Sequence, residues 1–135
     1  MSDKNTIYCE SDRVSLPPLP LVHSDLYEYG LDPYEFRVYA HVVRRTGGRL
    51  EGQCFAKLKK VAEICNISVR KVQYSLRTLC DAGLLVKEQR IGRSDIYFLT
   101  PRTNWKSKDE IKQIRQNAKT AILNNDTEKF EWLPD

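Results

Sequence analysis

Apolar residues recur at helical spacing after a set of helix-start signals near residue 32. Asp32 suits the N-cap, Pro33 the first helical position and Glu35 the third, which together form a capping box. The apolar residues that follow at intervals of three or four are Phe36, Tyr39, Ala40 and Val43. Because Gly47 comes next, the pattern predicts a first helix over residues 33–46.

Two closely spaced segments repeat this helical period. The first, about 56–65, follows RLEGQCFA, a glycine-broken short strand or loop. Its apolar residues are Leu58, Val61, Ala62 and Cys65. The second, about 68–82, begins at Ser68, a good N-cap, and ends before Gly83. Its apolar positions are Val69, Val72, Leu76, Leu79 and Cys80. Since only two residues separate the segments, we expect two helices joined by a tight turn.

The pattern changes to short strand-like runs after this third helix. The runs LLVKEQR and DIYFLT flank Ile91–Ser94, which predicts a β-hairpin. The second run is apolar on both faces, with Ile96 and Phe98 on one and Tyr97 and Leu99 on the other. Only one face can pack on the helices, so the other must be covered by the N-terminal arm, the C-terminal helix or a second copy of the chain.

A fourth amphipathic helix is predicted over residues 108–124, outside the core unit. Its apolar stripe consists of Ile111, Ile114, Ala118, Ala121 and Ile122. This order of elements predicts a mainly α fold with a small β-hairpin wing, a winged helix-turn-helix. Residues 1–30 are expected to form an extended or partly disordered acidic arm, residues 31–105 the winged-helix domain, and residues 106–135 a C-terminal amphipathic helix and tail.

The composition is that of a globular protein, with 41% hydrophobic and 30% charged residues over a length of 135. No apolar run approaches the roughly 20 residues of a membrane-spanning helix, and the polar N-terminus does not resemble a signal peptide. Residues 1–30 carry two cations and five carboxylates, residues 31–105 carry fourteen and seven, and residues 106–135 carry six of each. The net charge of +4 therefore comes from the middle segment, which suggests a polyanionic partner.

The outer face of the third predicted helix carries the most informative side chains. Opposite the apolar stripe lie Arg70, Lys71, Tyr74, Arg77 and Thr78, with Gln73 toward one edge. Arginine can bond guanine and glutamine adenine, whereas lysine and tyrosine can contact phosphates. The helix N-terminus at Ser68 adds backbone donors for a phosphate. We therefore expect this helix to read double-stranded DNA from the major groove.

Two neighbouring elements add positive charge beside that helix. The second helix is introduced by Lys57, Lys59 and Lys60, which we expect near the DNA backbone. The hairpin carries Lys87, Gln89, Arg90 and Arg93, and it could follow a phosphate ridge or enter the minor groove. Three basic elements around one helix-turn-helix make residues 31–105 a predicted DNA-binding domain.

The stretch from Leu31 to Pro101 resembles the winged-helix domains of bacterial and phage transcription regulators and replication initiators. The resemblance depends on three segments: LDPYEFRVYAHVVRR, LKKVAEICNISVRKVQYSLRTLCDAGLL and GRSDIYFLTP. It implies that the helix starting at Ser68 is the recognition helix and that its groove contacts are Arg70, Lys71, Tyr74 and Arg77. The sequence departs from the common pattern at Cys65 and Cys80, which leaves a redox role open.

Catalysis finds little support in the residues. The segment GGRLEGQ has the glycine spacing of a phosphate-binding loop but lacks its Lys and Ser or Thr. The two histidines, His23 and His41, form no HExxH motif, so we expect no metal and no cofactor. Cys65 and Cys80 fall at core positions, where we expect them to act as small apolar fillers rather than thiol sensors.

These observations predict a non-enzymatic, sequence-specific double-stranded DNA-binding protein of the bacterial cytoplasm, nucleoid-associated or phage-encoded, most simply a transcription regulator. The alternatives are a plasmid- or phage-type replication initiator or replisome adaptor, or a winged helix that binds an acidic protein. We also expect a homodimer in which the C-terminal helix packs partly on its own domain and partly on another subunit, because palindromic operators are commonly read by twofold-related domains. Its interface would be the stripe of Ile111, Ile114, Ala118 and Ile122. A further hypothesis is that the acidic arm competes with phosphate for the basic face.

Overall fold

The computed structural model describes residues 22–131, with side chains described as far as residue 125. It contains four helices and three strands in these residues. They are α1 (Pro33–Thr46), β1 (Cys54–Ala56), α2 (Leu58–Cys65), α3 (Val69–Asp81), β2 (Leu85–Glu88), β3 (Asp95–Leu99) and α4 (Ile111–Glu131). The predicted fold class, mainly helical with a small antiparallel sheet as in a winged helix-turn-helix, is confirmed.

Helix α1 begins and ends where the sequence predicts, because its boundary signals are local. The Asp32 carboxylate accepts the Glu35 backbone N–H at 2.7 Å, and the Glu35 carboxylate accepts the Asp32 N–H at 3.0 Å. Gly47, with φ of 69°, ends the helix in the left-handed conformation. The predicted apolar face was partly wrong, since α1 packs against both α3 and β3. The buried apolar residues are therefore Val38, Tyr39, Val42 and Val43, while Phe36 and Ala40 are half-buried.

Helices α2 and α3 form the predicted helix-turn-helix. Asn66 makes the turn at a φ of 56°, and the Ser68 hydroxyl caps α3 by accepting the Lys71 backbone N–H at 3.1 Å. Helix α2 starts at Leu58, two residues later than predicted, because Cys54–Ala56 is a strand paired with β3. A short strand was one of the two predictions for the segment RLEGQCFA.

The faces of α3 differ from the predicted ones at two positions. Val69, predicted for the core, is 37% exposed, whereas Thr78, predicted for the outer face, is 1% exposed. Helix α4 packs against a second side of α3, and residues on that side are therefore buried. The exposed face of α3 is therefore narrower than the face predicted from its apolar stripe alone.

The sheet has the strand order β1-β3-β2, and both pairings are antiparallel. The predicted hairpin is confirmed as β2 and β3, and β1 adds a third strand. The inner face pairs Cys54 with Tyr97 and Leu85 with Leu99, and all four are buried. The outer face pairs Phe55 with Ile96 and Val86 with Phe98. Its Ile96 is buried, but Phe55 and Val86 are 56% and 52% exposed.

Helix α4 packs on the domain, as expected in part, and it belongs to the core unit rather than lying outside it. Ile111 and Ile114 belong to the main core, and Ala118 is fully buried. Residues Lys108–Glu110 form a 3-10 turn capped by Ser107, so the α-helix itself starts later than expected. Because three of the four residues of the expected dimer stripe are buried within their own chain, that stripe is not a free surface for a second copy.

The end of the predicted arm is also folded onto the domain. Residues Ser24–Glu28 form a 3-10 turn, and Leu26 and Tyr29 are core residues. The Tyr29 hydroxyl donates to the Lys106 carbonyl at 2.5 Å, which ties this segment to the loop before α4. The prediction of an extended arm over residues 1–30 is therefore wrong for residues 22–30, while residues 1–21 lie outside the described residues.

Among the described residues, none of the helices combines the length and the apolar character that a membrane span requires.

Candidate nucleic-acid interface

A cleft of about 1290 Å³ lies between α3, the β2–β3 wing and the start of α2. Among the described residues, six cations and two carboxylates line it. The cations are Lys57, Arg70, Arg77, Lys87, Arg90 and Arg93, and the carboxylates are Asp81 and Asp95. Seven of the predicted site residues, these six cations and Gln73, thus meet in one concave surface.

Helical spacing aligns the cleft residues of α3. Arg70, Gln73 and Arg77 follow one another at intervals of three and four, so they share a face. Arg70 and Arg77 are exposed and Gln73 is half-buried. The capped start of α3 at Ser68 fixes where this face begins, and the packing of Val72 and Leu79 into the core fixes its direction.

The remaining predicted residues of α3 lie on the side away from the wing. The Lys71 ammonium group sits 4.5 Å from the centre of the Tyr34 ring, which draws it toward the start of α1. Tyr74 is half-buried, with the Arg70 guanidinium and the Lys119 ammonium group each 5.9 Å from its ring centre. The Ser68 hydroxyl is engaged in capping. These three residues flank the cleft rather than line it.

The two predicted lysines of α2 are exposed beside the cleft. Lys59 and Lys60 stand in the first turn of α2, next to Lys57, which does line it. Their ammonium groups extend the positive surface from the cleft along α2. This is the position in which contacts to a phosphate backbone were expected.

The wing holds its two arginines differently. The Arg90 side chain donates through Nε to the Ser94 carbonyl at 2.8 Å, and its guanidinium lies 5.1 Å from the centre of the Phe55 ring. The Arg90 backbone N–H donates to the Asp95 carboxylate at 3.4 Å. Arg93 stands next to Gly92 at the tip and is exposed. Arg90 therefore stiffens the wing, and Arg93 is its accessible cation.

Sequence reasoning missed the acidic residues of the cleft and the additional wall that α4 contributes to it. Asp81 follows Arg77 by four residues, a spacing that could have revealed the pair. Asp95 pairs with the loop before it, which a hairpin register would have indicated. Ile122 and Asn125 line the cleft from α4, and no local signal could have placed them there, because their position depends on how α4 docks.

Three cysteines and His41 lie in buried or half-buried positions that disfavour their charged forms. Burial raises the pKa of Cys80 to about 12 and that of Cys54 to about 11, and it also raises the pKa of Cys65. These thiols are therefore protonated at neutral pH. Burial lowers the pKa of His41, and the nearby charges of Arg45 and Arg44 lower it further. Within residues 22–131 no cluster of His, Cys, Asp or Glu could hold a metal ion.

Comparison with known proteins matches the part of the chain that contributes α3 and the start of α2 to this cleft, but not the wing or α4. Residues 29–85 match a family model described as a helix-turn-helix domain. The matched range runs from Tyr29 to the first residue of β2, and it includes α1, β1, α2 and α3. Searches of curated proteins and of solved structures found no match.

Proposed function

We propose that the helix-turn-helix domain formed by residues 29–85 binds double-stranded DNA sequence-specifically, and that the protein is a transcription regulator. In this proposal the protein has no catalytic activity and acts in the bacterial cytoplasm, on the nucleoid or on phage DNA. Helix α3 enters the major groove, α2 lies along the backbone, and the wing reaches the adjacent backbone or minor groove.

The observation that carries the proposal is the convergence of cations from three separate elements in one cleft. Arg70 and Arg77 come from α3, Lys57 from the residue before α2, and Arg93 from the wing. A charged face on a single helix is often only solvated surface, but a concave surface lined from three sides focuses positive potential. The sheet and the helices hold these cations on a rigid support, which favours binding without large rearrangement.

The side chains sort into two kinds of contact. Arg70, Gln73 and Arg77 share the exposed face of α3 and carry the groups that recognise guanine or adenine edges. Lys59, Lys60 and Lys87 are exposed ammonium groups outside that face and suit phosphates, which carry no sequence information. Specificity in this proposal therefore comes from α3, and most of the affinity comes from its surroundings.

Selection of bound fragments from a random duplex pool, followed by salt titration of the full chain on the selected site, tests the proposal. We expect enrichment of a defined sequence and a log–log slope of affinity against salt near −5, from about six phosphate contacts at roughly −0.9 each. Arg93→Ala should weaken binding, whereas Arg44→Ala, at an exposed arginine outside the cleft, should not. Absence of duplex binding at low salt would overturn the proposal and would favour an acidic protein as partner.

A further inference from the structure

Arg77 and Asp81 form an ion pair on the open face of α3. The Arg77 Nε donates to the Asp81 carboxylate at 3.0 Å, and both side chains remain accessible, at 45% and 37%. Both residues line the basic cleft. The pair is thus placed where a ligand of the cleft would meet it.

The pair contributes little to the stability of the helix, because both side chains are accessible to solvent. In an α-helix the favourable order puts the acid before the base, and here the base comes first. Asp81 is also the last residue of α3, where a negative charge opposes the helix dipole. The reversed order makes the pair less stabilising and the helix dipole opposes the charge of Asp81, so the stability of α3 offers little reason for a carboxylate at this position.

Asp81 also works against simple phosphate binding. A carboxylate in a cleft lined by six cations lowers the local positive potential and repels a DNA backbone. For nonspecific affinity alone, a neutral residue at this position would serve better. Asp81 is therefore better explained by its hydrogen bond to Arg77, which can orient the guanidinium.

The geometry of the bond indicates that role. The bond to Asp81 engages Nε, which lies on one edge of the planar guanidinium. The opposite edge, formed by Nη1 and Nη2, is the fork that matches guanine O6 and N7. A carboxylate that holds Nε restricts the rotation of the guanidinium without occupying this fork.

We propose that Asp81 is a positioning residue that orients Arg77 to read a guanine in the major groove, and that this pair determines specificity at one G·C base pair. The inference rests on the proposed DNA-binding function. In this inference Arg77 contacts the base, and Asp81 keeps the Arg77 guanidinium directed toward the base rather than toward a phosphate. An arginine without such a partner can turn toward the backbone, where it adds affinity but no sequence preference.

The experiment compares full-chain variants on the selected duplex, on its single-base-pair substitutions and on random duplex. Arg77→Ala should reduce the preference at one G·C pair about tenfold, the order expected for one bidentate contact. Asp81→Ala should relax the preference at the same base pair while raising affinity for random duplex severalfold. The double variant should discriminate between base pairs no worse than Arg77→Ala does. Asp81→Glu keeps a carboxylate within reach of Arg77, so it should retain most of the preference for the G·C pair.

Two controls separate positioning from charge and from folding. Glu63→Ala removes the same charge from an exposed site on α2, and it should leave base preference unchanged. Thermal unfolding of Asp81→Ala should show little change in stability, because the loss of an exposed bridge and the removal of a charge that opposes the helix dipole have small and opposite effects.

The outcomes also distinguish this inference from the function on which it rests. Unchanged preference in Asp81→Ala, or a loss at a different base pair from that of Arg77→Ala, would overturn the role of Asp81 while leaving DNA binding intact. A wild-type protein that binds no duplex would overturn both.

Discussion

Two arginine–carboxylate pairs in this molecule use the same chemistry in opposite surroundings. Arg115 of α4 donates to both oxygens of Glu35 at 2.7 and 2.8 Å and to the Gly30 carbonyl at 2.7 Å. The Glu35 side chain is 3% exposed and that of Arg115 21%. Arg77 of α3 makes one Nε bond to Asp81, and both partners face the cleft.

The difference shows how burial and geometry separate a structural arginine from one suited to a ligand. At the α1–α4 junction the carboxylate of Glu35 also accepts the Asp32 backbone N–H, so several hydrogen bonds satisfy one buried charge. The hydrogen bond and the charge of Glu35 raise the pKa of Arg115. At the cleft, solvent screens the Arg77–Asp81 pair. A single hydrogen bond from Nε directs the Arg77 guanidinium and does not occupy its Nη1–Nη2 fork. The first pair joins two helices, and the second is suited to recognition.

The largest expected effect comes from breaking the buried pair. Arg115→Ala leaves the Glu35 carboxylate buried without its cation, and we expect a loss of about 3 kcal/mol in the free energy of unfolding. Urea denaturation of the full chain measures it. Lys112→Ala removes an exposed cation from the same helix and should cost less than about 0.5 kcal/mol. Equal losses in the two variants would show that α4 does not depend on this pair.

The apolar anchor of α4 should give the next effect. Ile114→Ala removes a side chain that is buried in the core, and we expect it to cost about 2 kcal/mol. The unfolding midpoint should not depend on protein concentration, because Ile114 packs within its own chain. A midpoint that rises with concentration would instead indicate that a second copy covers this stripe, and it would restore the expected dimer.

The exposed pair should affect binding and leave stability nearly unchanged. Arg77→Ala breaks a solvent-exposed bridge, so we expect a change below about 1 kcal/mol in unfolding free energy. Lys59→Ala should weaken specific and random duplexes alike and reduce the salt slope by about one, because it removes one phosphate contact. Comparison of the two variants on both duplexes tests the division between reading bases and binding backbone. Equal losses of specific and random binding for Arg77→Ala would contradict it.

Local signals allowed the helices to be predicted, and long-range contacts explain what was missed. Asp32, Glu35 and Gly47 lie within or beside α1 and define both of its ends, and Ser68 does the same for the start of α3. Strand β1 is only three residues long and exists because Cys54 pairs with Tyr97, far along the chain. The segment RLEGQCFA predicts a short strand or loop, but not which strand it pairs with.

The same division between local signals and long-range contacts applies to the candidate site. The cations of α3, α2 and the wing were predictable because each belongs to a local element with a recognisable pattern. The burial of Thr78 and the wall formed by Ile122 and Asn125 depend on the docking of α4. Docking is decided by Ile111, Ile114 and Arg115 against distant partners, which composition and periodicity do not reveal.

The smallest expected effect concerns the acidic N-terminal region, where the structure changes the experiment. Residues 1–30 cannot be removed as a unit, because Leu26 and Tyr29 belong to the core and their loss should unfold the domain. A deletion of residues 1–21 removes two cations and three carboxylates, so it raises the net charge of the chain by one. If these residues compete with phosphate, random-duplex affinity at low salt should rise by less than tenfold. Asp25→Asn is the matched control, since it also removes one negative charge but lies in an exposed pair with Arg102, 3.2 Å away. An equal gain in the two variants would mean that net charge alone is responsible, whereas no gain after the deletion would remove competition as a role for residues 1–21.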